Sequence, residues 1–313
     1  MRFAISLPQG CPDGTFDPAA FAAYVLRAEA LGFDSAWAMD LQFGRAPRLN
    51  AMETMTFAAA CTALSSASGS GRLRLGCSVF VSTLHSPVHL AKSLATLDQL
   101  SRGRLDVGVG TGGPDRPFAA FGMSRDRYAA RFSEGVSLMK ALWTQESVTF
   151  DGEFFQLKDA QLEPKPFQKP HPPVWFGAAG ESALQRGVRM GDGFFGAGSS
   201  TTAAFASQVR IVRSSLEAAG RPLWSFPIAK RVYISIDSDG ARARERVNAG
   251  LTTMYGRRVA AIEEAAVAGT ADDCLRGIRE VVDAGAELIL FTALHDQLEH
   301  AEQIAAEIIP RLG

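Results

Sequence analysis

Three groups of residues in this chain have the types and spacing to do chemistry. Gly177-Ala178-Ala179-Gly180-Glu181-Ser182 leads from a β-rich stretch into a helical one. Free amides at a helix N-terminus, with a serine hydroxyl beside them, suit an anion such as phosphate. Gly198, Ser199 and Ser200 extend such a cradle, and plain helix capping is the other reading of the same small residues. The second group, Gly108-Val109-Gly110-Thr111-Gly112-Gly113, has the spacing G-x-G-x-x-G after a strand. A dinucleotide fingerprint needs its last glycine to open a helix, whereas Pro114-Asp115-Arg116-Pro117 breaks the chain at once. These glycines read instead as backbone that lets a flat ligand approach. The third group is titratable. His85 after the third strand and His295 after the eighth are candidate proton carriers, with a structural role or simple exposure as the alternative. His89 and His171 read as structural, and Arg45, Arg48 and Arg116 read as one rim for an acidic cofactor tail or an anionic substrate, or as solvated arginines.

The elements that must position these groups alternate β and α. Strands are expected at Phe3 to Leu7, Ser35 to Met39, Leu73 to Phe80, Leu105 to Gly110, Val174 to Ala178, Gly193 to Ala197, Ile228 to Ile236 and Glu287 to Ala293. Between them lie segments of helical period, the clearest carrying Phe132, Val136, Met139 and Trp143. Asp17-Pro18 and Ser86-Pro87 are helix openings, and Thr270 with Asp273 makes a capping box. Eight strand-helix units predict an α/β fold, a (β/α)₈ TIM barrel spanning 1–313 as one domain. A β-hairpin at Val148 to Leu157, turning on Asp151-Gly152, is inserted between units four and five, the whole insertion covering about 147–172. In such a barrel the chemistry sits at the carboxyl ends of the strands. Pro8-Gln9, Asp40, Ser78 with Val79, Thr111 to Gly113, Ala178 to Gly180, Gly196 to Ser200, Ser235 and Thr292 stand there, a mouth broad and polar enough for a large planar ligand.

Composition narrows the partners. Of 313 residues 47% are hydrophobic and 21% charged, enough apolar material for a sizeable core. Lys and Arg (32) nearly cancel Asp and Glu (33), so no summed field draws the chain to nucleic acid or anionic lipid. No stretch reaches the roughly 18 apolar residues of a membrane span, and the start lacks a signal-peptide core, so a cytoplasmic protein is expected. Cys11, Cys61, Cys77 and Cys274 are scattered, without the spacing of a zinc site or a disulfide framework.

Taken in order, several segments resemble the luciferase-like oxidoreductase superfamily, whose members use reduced FMN with oxygen or the deazaflavin coenzyme F420. They are Phe3 to Gln9, Asp40, Leu73 to Val79, Pro87 to Leu100, Arg102 to Gly112, Leu142-Trp143, the Phe150 to Phe155 hairpin, Pro164 to Pro166, Pro170 to Pro173 and Met190 to Phe194. The resemblance implies a barrel with the ring across its top and a non-prolyl cis peptide at Ser78-Val79 supporting the ring's face. It implies cofactor contacts from Asp40, Ser78, Val79, Thr111, Gly112, Gly177 and Ala178, and the phosphate on Gly180, Glu181 and Ser182. It also implies a homodimer. Deazaflavin sugar-phosphate dehydrogenases of this superfamily carry histidine and glutamate where this chain has Leu41 and Gly113. That acid-base pair is missing, which disfavours sugar-phosphate oxidation. The expected function is hydride transfer between F420 and a small organic substrate. The alternatives are an FMNH2-dependent two-component monooxygenase fed by a separate reductase, and a flavin-binding protein without turnover.

Overall fold

A computed structural model describes residues 1–11, 13–44, 46–65, 71–113 and 118–312. Its first half runs β1 (Arg2–Ser6), α1 (Pro18–Ala30), β2 (Ser35–Ala38), α2 (Ala51–Ser65), β3 (Arg74–Val81), α3 (Pro87–Leu100), β4 (Leu105–Gly110) and α4 (Tyr128–Thr144). An antiparallel pair follows, β5 (Val148–Asp151) and β6 (Gln156–Ala160). The second half runs β7 (Val174–Phe176), α5 (Glu181–Met190), β8 (Gly193–Gly196), α6 (Thr202–Ala218), β9 (Ile228–Ile236), α7 (Gly240–Tyr255) and α8 (Ala260–Ala265). It closes with β10 (Val267–Gly269), α9 (Ala271–Asp283), β11 (Leu288–Thr292) and α10 (Gln297–Gln303). Several helices begin where side chains satisfy their first amides: Asp17 caps α1, Ser86 caps α3, and Thr270 with Asp273 forms the reciprocal box on α9.

Eight parallel strands close on themselves in the order β1-β2-β3-β4-β7-β8-β9-β11, with β11 returning to β1. This is the expected (β/α)₈ barrel with its hairpin between the fourth and fifth units. Two details depart from expectation. The short strand β10 pairs with the far end of β9, Val267 opposite Ile234, in a stretch that reads from the sequence as a junction between helices. The hairpin does not turn on two residues, because Asp151 pairs with Gln156 and leaves residues 152–155 as the loop. The cause lies on α4, where the Glu134 carboxylate accepts from the amides of Glu153, Phe154 and Phe155 at 3.1, 2.8 and 2.8 Å. Three charge-assisted bonds outweigh the preference for a tight turn.

The main core lies between strands and helices, with Leu75, Val107, Met139, Phe205 and Ile278 among its buried residues. A separate cluster fills the barrel itself: Ala4, Trp37, Trp175, Phe195, Ala229, Leu288 and Leu290. These are alternate residues of their strands, as an inward face requires. Trp37 packs on Phe195 at 4.7 Å and edge-on to Trp175 at 5.9 Å. Gly76 makes that possible, since a Cβ there would lie 2.5 Å from the Trp37 ring. Polar groups at the amino end are paired: Arg74 Nε donates to Asp106 at 2.8 Å, Trp175 Nε1 to the same carboxylate at 3.1 Å, and Trp37 Nε1 to Ser35 Oγ at 2.8 Å. Among the described residues no helix is long and apolar enough to cross a membrane.

Candidate active site

Above the tryptophans the barrel interior changes character. The Ser78-Val79 peptide is cis, as the family resemblance implies, and the β3–β4 register breaks between Cys77 and Phe80. Val79 stands against backbone stripped of side chains. A Cβ added to Gly108, Gly110 or Gly177 would come within 3.0, 2.8 or 3.0 Å of its methyl groups. Gly110 therefore makes room for Val79, and Gly108 for Val79 and, more closely, for the Cys77 carbonyl, 2.0 Å from where a Cβ would stand; the result is an apolar platform of bare backbone shared by β3, β4 and β7. Thr111 is tied to the loop after β3, its carbonyl accepting from Thr83 Oγ1 at 2.9 Å. Gly112 takes a left-handed conformation (φ 75°), which glycine adopts without a Cβ clash.

Across the barrel from this platform lies a charge that the sequence analysis did not single out. Arg231 of β9 reaches to the opposite strand, where its Nη2 donates to Ser78 O at 3.0 Å and to Ser78 Oγ. Its residue is only 4% exposed, yet Nη1 has no partner. Ser6 Oγ at the end of β1 and Thr292 Oγ1 at the end of β11 are also buried and unpartnered. Because β1, β11 and β9 are neighbours, these atoms share one end of the barrel. A buried polar atom left unmatched costs about 1–3 kcal/mol, and a polar ligand seated among these three would offset that cost. Arg48 stands at the same end: burial, with the charge of Arg231 adding to it, lowers its pKa below the ordinary arginine value. The sequence held one signal for Arg231, the adjacent cations Lys230 and Arg231 inside a strand otherwise built of Ile228, Ala229, Val232 and Ile234. Arg45 and Arg116 lie outside the described residues.

The loop after β7 has the properties of an anion cradle. The N-cap of α5 is Gly180, which makes no side-chain bond, whereas α6 and α7 are capped by Thr201 and Asp239. The first-turn amides of α5, at Glu181 and Ser182, have no intrahelical acceptor by geometry, and both residues are exposed. Gly177 spends its amide on Val109 O at 2.9 Å, and half-buried Ala178 follows it. Charge-favourable positioning of a phosphate at such a terminus follows from the helix dipole.

Two residues 45 positions apart meet at the mouth. His85 Nε2 lies 2.9 Å from Asp40 Oδ2, which also accepts from the Val81 amide at 2.9 Å. A carboxylate oxygen accepts, so His85 Nε2 is the donor to Asp40 and the ring's Nδ1 is left for another partner. Gln42 holds the second oxygen of Asp40. The Asp40 side chain is 1% exposed and that of His85 24%, so the carboxylate braces and the imidazole faces outward.

His295 belongs to a different group. Its Nε2 pairs with Ser235 Oγ at 3.0 Å, and its ring stands edge-on to His300 at 4.7 Å. Burial, then the neighbouring His300 and Arg246, lower its pKa. His300 accepts from the Ile236 amide at 3.1 Å and is itself lowered by burial. His295 Nδ1 is buried 3.5 Å from Asp296 Oδ2 without a hydrogen bond, so this corner of β9, β11 and α10 packs two histidines together and pairs them only in part.

The family model for luciferase-like monooxygenases matches residues 1–261. An F420-dependent glucose-6-phosphate dehydrogenase from Kineococcus radiotolerans is 29% identical over 330 aligned positions, covering 95% of this chain and 94% of that protein. An FMNH2-dependent dimethylsulfone monooxygenase from Pseudomonas putida is 36% identical over 138 positions, 43% of this chain and 38% of its own length. Among solved structures, an F420-dependent secondary alcohol dehydrogenase in complex with an F420-acetone adduct superimposes with a TM-score of 0.82 at 22% identity, covering 100% of this chain and 99% of that one.

Proposed function

The chain belongs to the luciferase-like monooxygenase family, and from that premise we propose that it is an oxidoreductase moving a hydride between coenzyme F420 and a small organic substrate such as an alcohol, an imine or an activated double bond. The observation that carries this reading is the upper barrel, where a bare-backbone platform under Val79 faces three buried polar atoms without partners. A planar ring with polar edges fits both features at once. Full-length similarity to F420-dependent relatives supports the deazaflavin branch.

When bound, F420 supplies a ring carbon that takes or gives a hydride. The protein's own residues do the rest. Val79 and the glycines around it fix one face of the ring. Arg231, Ser6 and Thr292 offer hydrogen bonds to its polar edge. The start of α5, with Gly180, Glu181 and Ser182, holds the phosphate. His85, oriented by Asp40, takes or returns the substrate's proton at Nδ1, a role worth about 10²- to 10⁴-fold in rate. It stands in for the acid-base pair that Leu41 and Gly113 remove, and its presence argues against binding without turnover. Arg48 at the rim favours a substrate or cofactor tail with negative charge.

A second reading, an FMNH2-dependent monooxygenase supplied by a reductase, draws on the similarity to the dimethylsulfone enzyme. Titration of the purified protein with F420 and with FMN, followed by fluorescence, separates the two. Tight binding of F420 with weak binding of FMN is expected. The reverse preference would transfer the assignment to the monooxygenase, and binding of neither would end both.

A further inference from the structure

Lys230 of β9 is a cation that the chemistry above does not use. It is 2% exposed and lies on the face of the strand opposite to Arg231. No carboxylate answers it among the described residues. The charge of Arg231 on its own strand acts on it. Its other neighbours are Gly196 opposite it on β8, Ile289 on β11, and the Phe205 ring of α6, whose centroid is 5.8 Å from Nζ. Nζ donates to Ala197 O, to Ser200 O at 3.0 Å and to Arg231 O at 3.1 Å. An ammonium has three donors, and here all three are spent on backbone carbonyls.

That arrangement sets the polarity of the turn after β8. Ser200 N also donates to Ala197 O, at 3.1 Å, closing the turn. In a trans peptide the carbonyl and the amide point in opposite directions. Drawing the carbonyls of Ala197 and Ser200 toward Nζ therefore turns the amides of Gly198 and Thr201 away from it. Neither amide has a protein acceptor among the described residues. The turn has no slack on its far side, since a Cβ on Gly198 would lie 2.6 Å from the Tyr233 ring. Because β7 and β8 are neighbours, this turn stands beside the start of α5.

We propose that Lys230 is a positioning residue for the cofactor phosphate, holding the amides of Gly198 and Thr201 toward the anion from behind and supplying a buried positive charge that the anion stabilises. The assignment rests on the reading that a phosphate-bearing cofactor seats on the loops after β7 and β8. Burial, with the charge of Arg231 adding to it, brings Lys230 down to about 7. An anionic phosphoryl group beside it favours the ammonium, so binding near neutral pH takes up a proton.

The test uses the whole chain and ligands with and without the phosphoryl group: FMN against riboflavin, and F420 against its phosphate-free deazaflavin chromophore. Calorimetry in two buffers of different ionisation enthalpy should read proton uptake with the phosphorylated ligand and none with the phosphate-free one. Lys230→Met should abolish that uptake and weaken the phosphorylated ligand on the order of tenfold, leaving the other within about twofold. Equal weakening of both ligands, or uptake that survives the substitution, overturns the proposal. Should Lys230→Met fail to fold, the wild-type protein still decides. Its affinity for FMN should fall as pH rises from neutral, above the second ionisation of that phosphate near ~6, and a flat profile there overturns it. Good binding of a ring with no phosphate dependence sinks the Lys230 assignment alone. Binding of no ring at all sinks the functional reading and this one together.

Discussion

At the amino end of the barrel, Arg74 meets Asp106, Trp175 meets the same carboxylate, and Trp37 meets Ser35. At the carboxyl end, Arg231 keeps an unmatched Nη1, and Ser6 and Thr292 keep unmatched hydroxyls. Both ends bury polar groups in one continuous channel of side chains. The amino end pairs its donors with acceptors from neighbouring strands and wedges two indoles between them, so it is finished by the protein alone. The carboxyl end accepts a cost of burial that no protein group offsets, which makes sense where a ligand completes the set. On the proposed function, stability and binding are divided along the barrel axis, and substitutions at the two ends should separate them.

The largest effect is expected at the mouth. His85→Asn should lower kcat about 10²- to 10⁴-fold in steady-state assays with F420 and an accepted substrate, with the cofactor's Kd nearly unchanged. Unchanged turnover would remove His85 as the proton carrier. Next, Trp37→Ala should cost about 3–5 kcal/mol in urea unfolding, because it empties a fully buried site. A loss under about 1 kcal/mol would mean that the amino end is not the stable half. Arg231→Met should weaken cofactor binding roughly 10- to 100-fold, as expected for losing a charged hydrogen-bonding group, with a smaller effect on unfolding than Trp37→Ala. If the order of those two effects were reversed, the division along the axis would fail. A gentler probe is Thr292→Val, which removes an unmatched hydroxyl at constant shape. The free protein should hold its unfolding midpoint or gain slightly, while cofactor binding weakens a few-fold.

The smallest expected effect concerns pH. His300 is buried with its folded pKa below the unfolded value. As pH falls through ~6.5 the unfolded chain takes up the proton first, so the His300 contribution to stability should be level above that point and decline below it, with His295 acting in the same direction. His300→Gln should flatten the decline, measured by urea unfolding across the acidic range. A decline of the same depth in the variant would assign the acid sensitivity to other groups.

How much of this was legible before the fold depends on the distance over which each signal acts. Capping by Asp17, Ser86 and Thr270 acts within one turn of helix, and each is used as its sequence suggests. The alternation of strand and helix was legible for the same reason, since periodicity is local. The glycines at 108 and 110 were recognisable as places of close approach, but what approaches them is β3, the Cys77 carbonyl and Val79 at Gly108 and Val79 at Gly110, and only the register break on β3 puts Val79 there. The hairpin's turn was misread because Glu134, which decides it, lies on another element.

Residue types and their spacing determined on their own that this chain builds eight strand-helix units with polar, glycine-rich ends, and that a helix begins near Gly180. Only the closed barrel decided that Arg231 crosses to Ser78, that Asp40 holds His85, and that the hydroxyls of Ser6 and Thr292 are left unmatched beside them. Strand alternation is a property of neighbouring residues and survives in the sequence. Which inward residue meets which across the barrel depends on stagger and closure, and these exist only once every strand is in place.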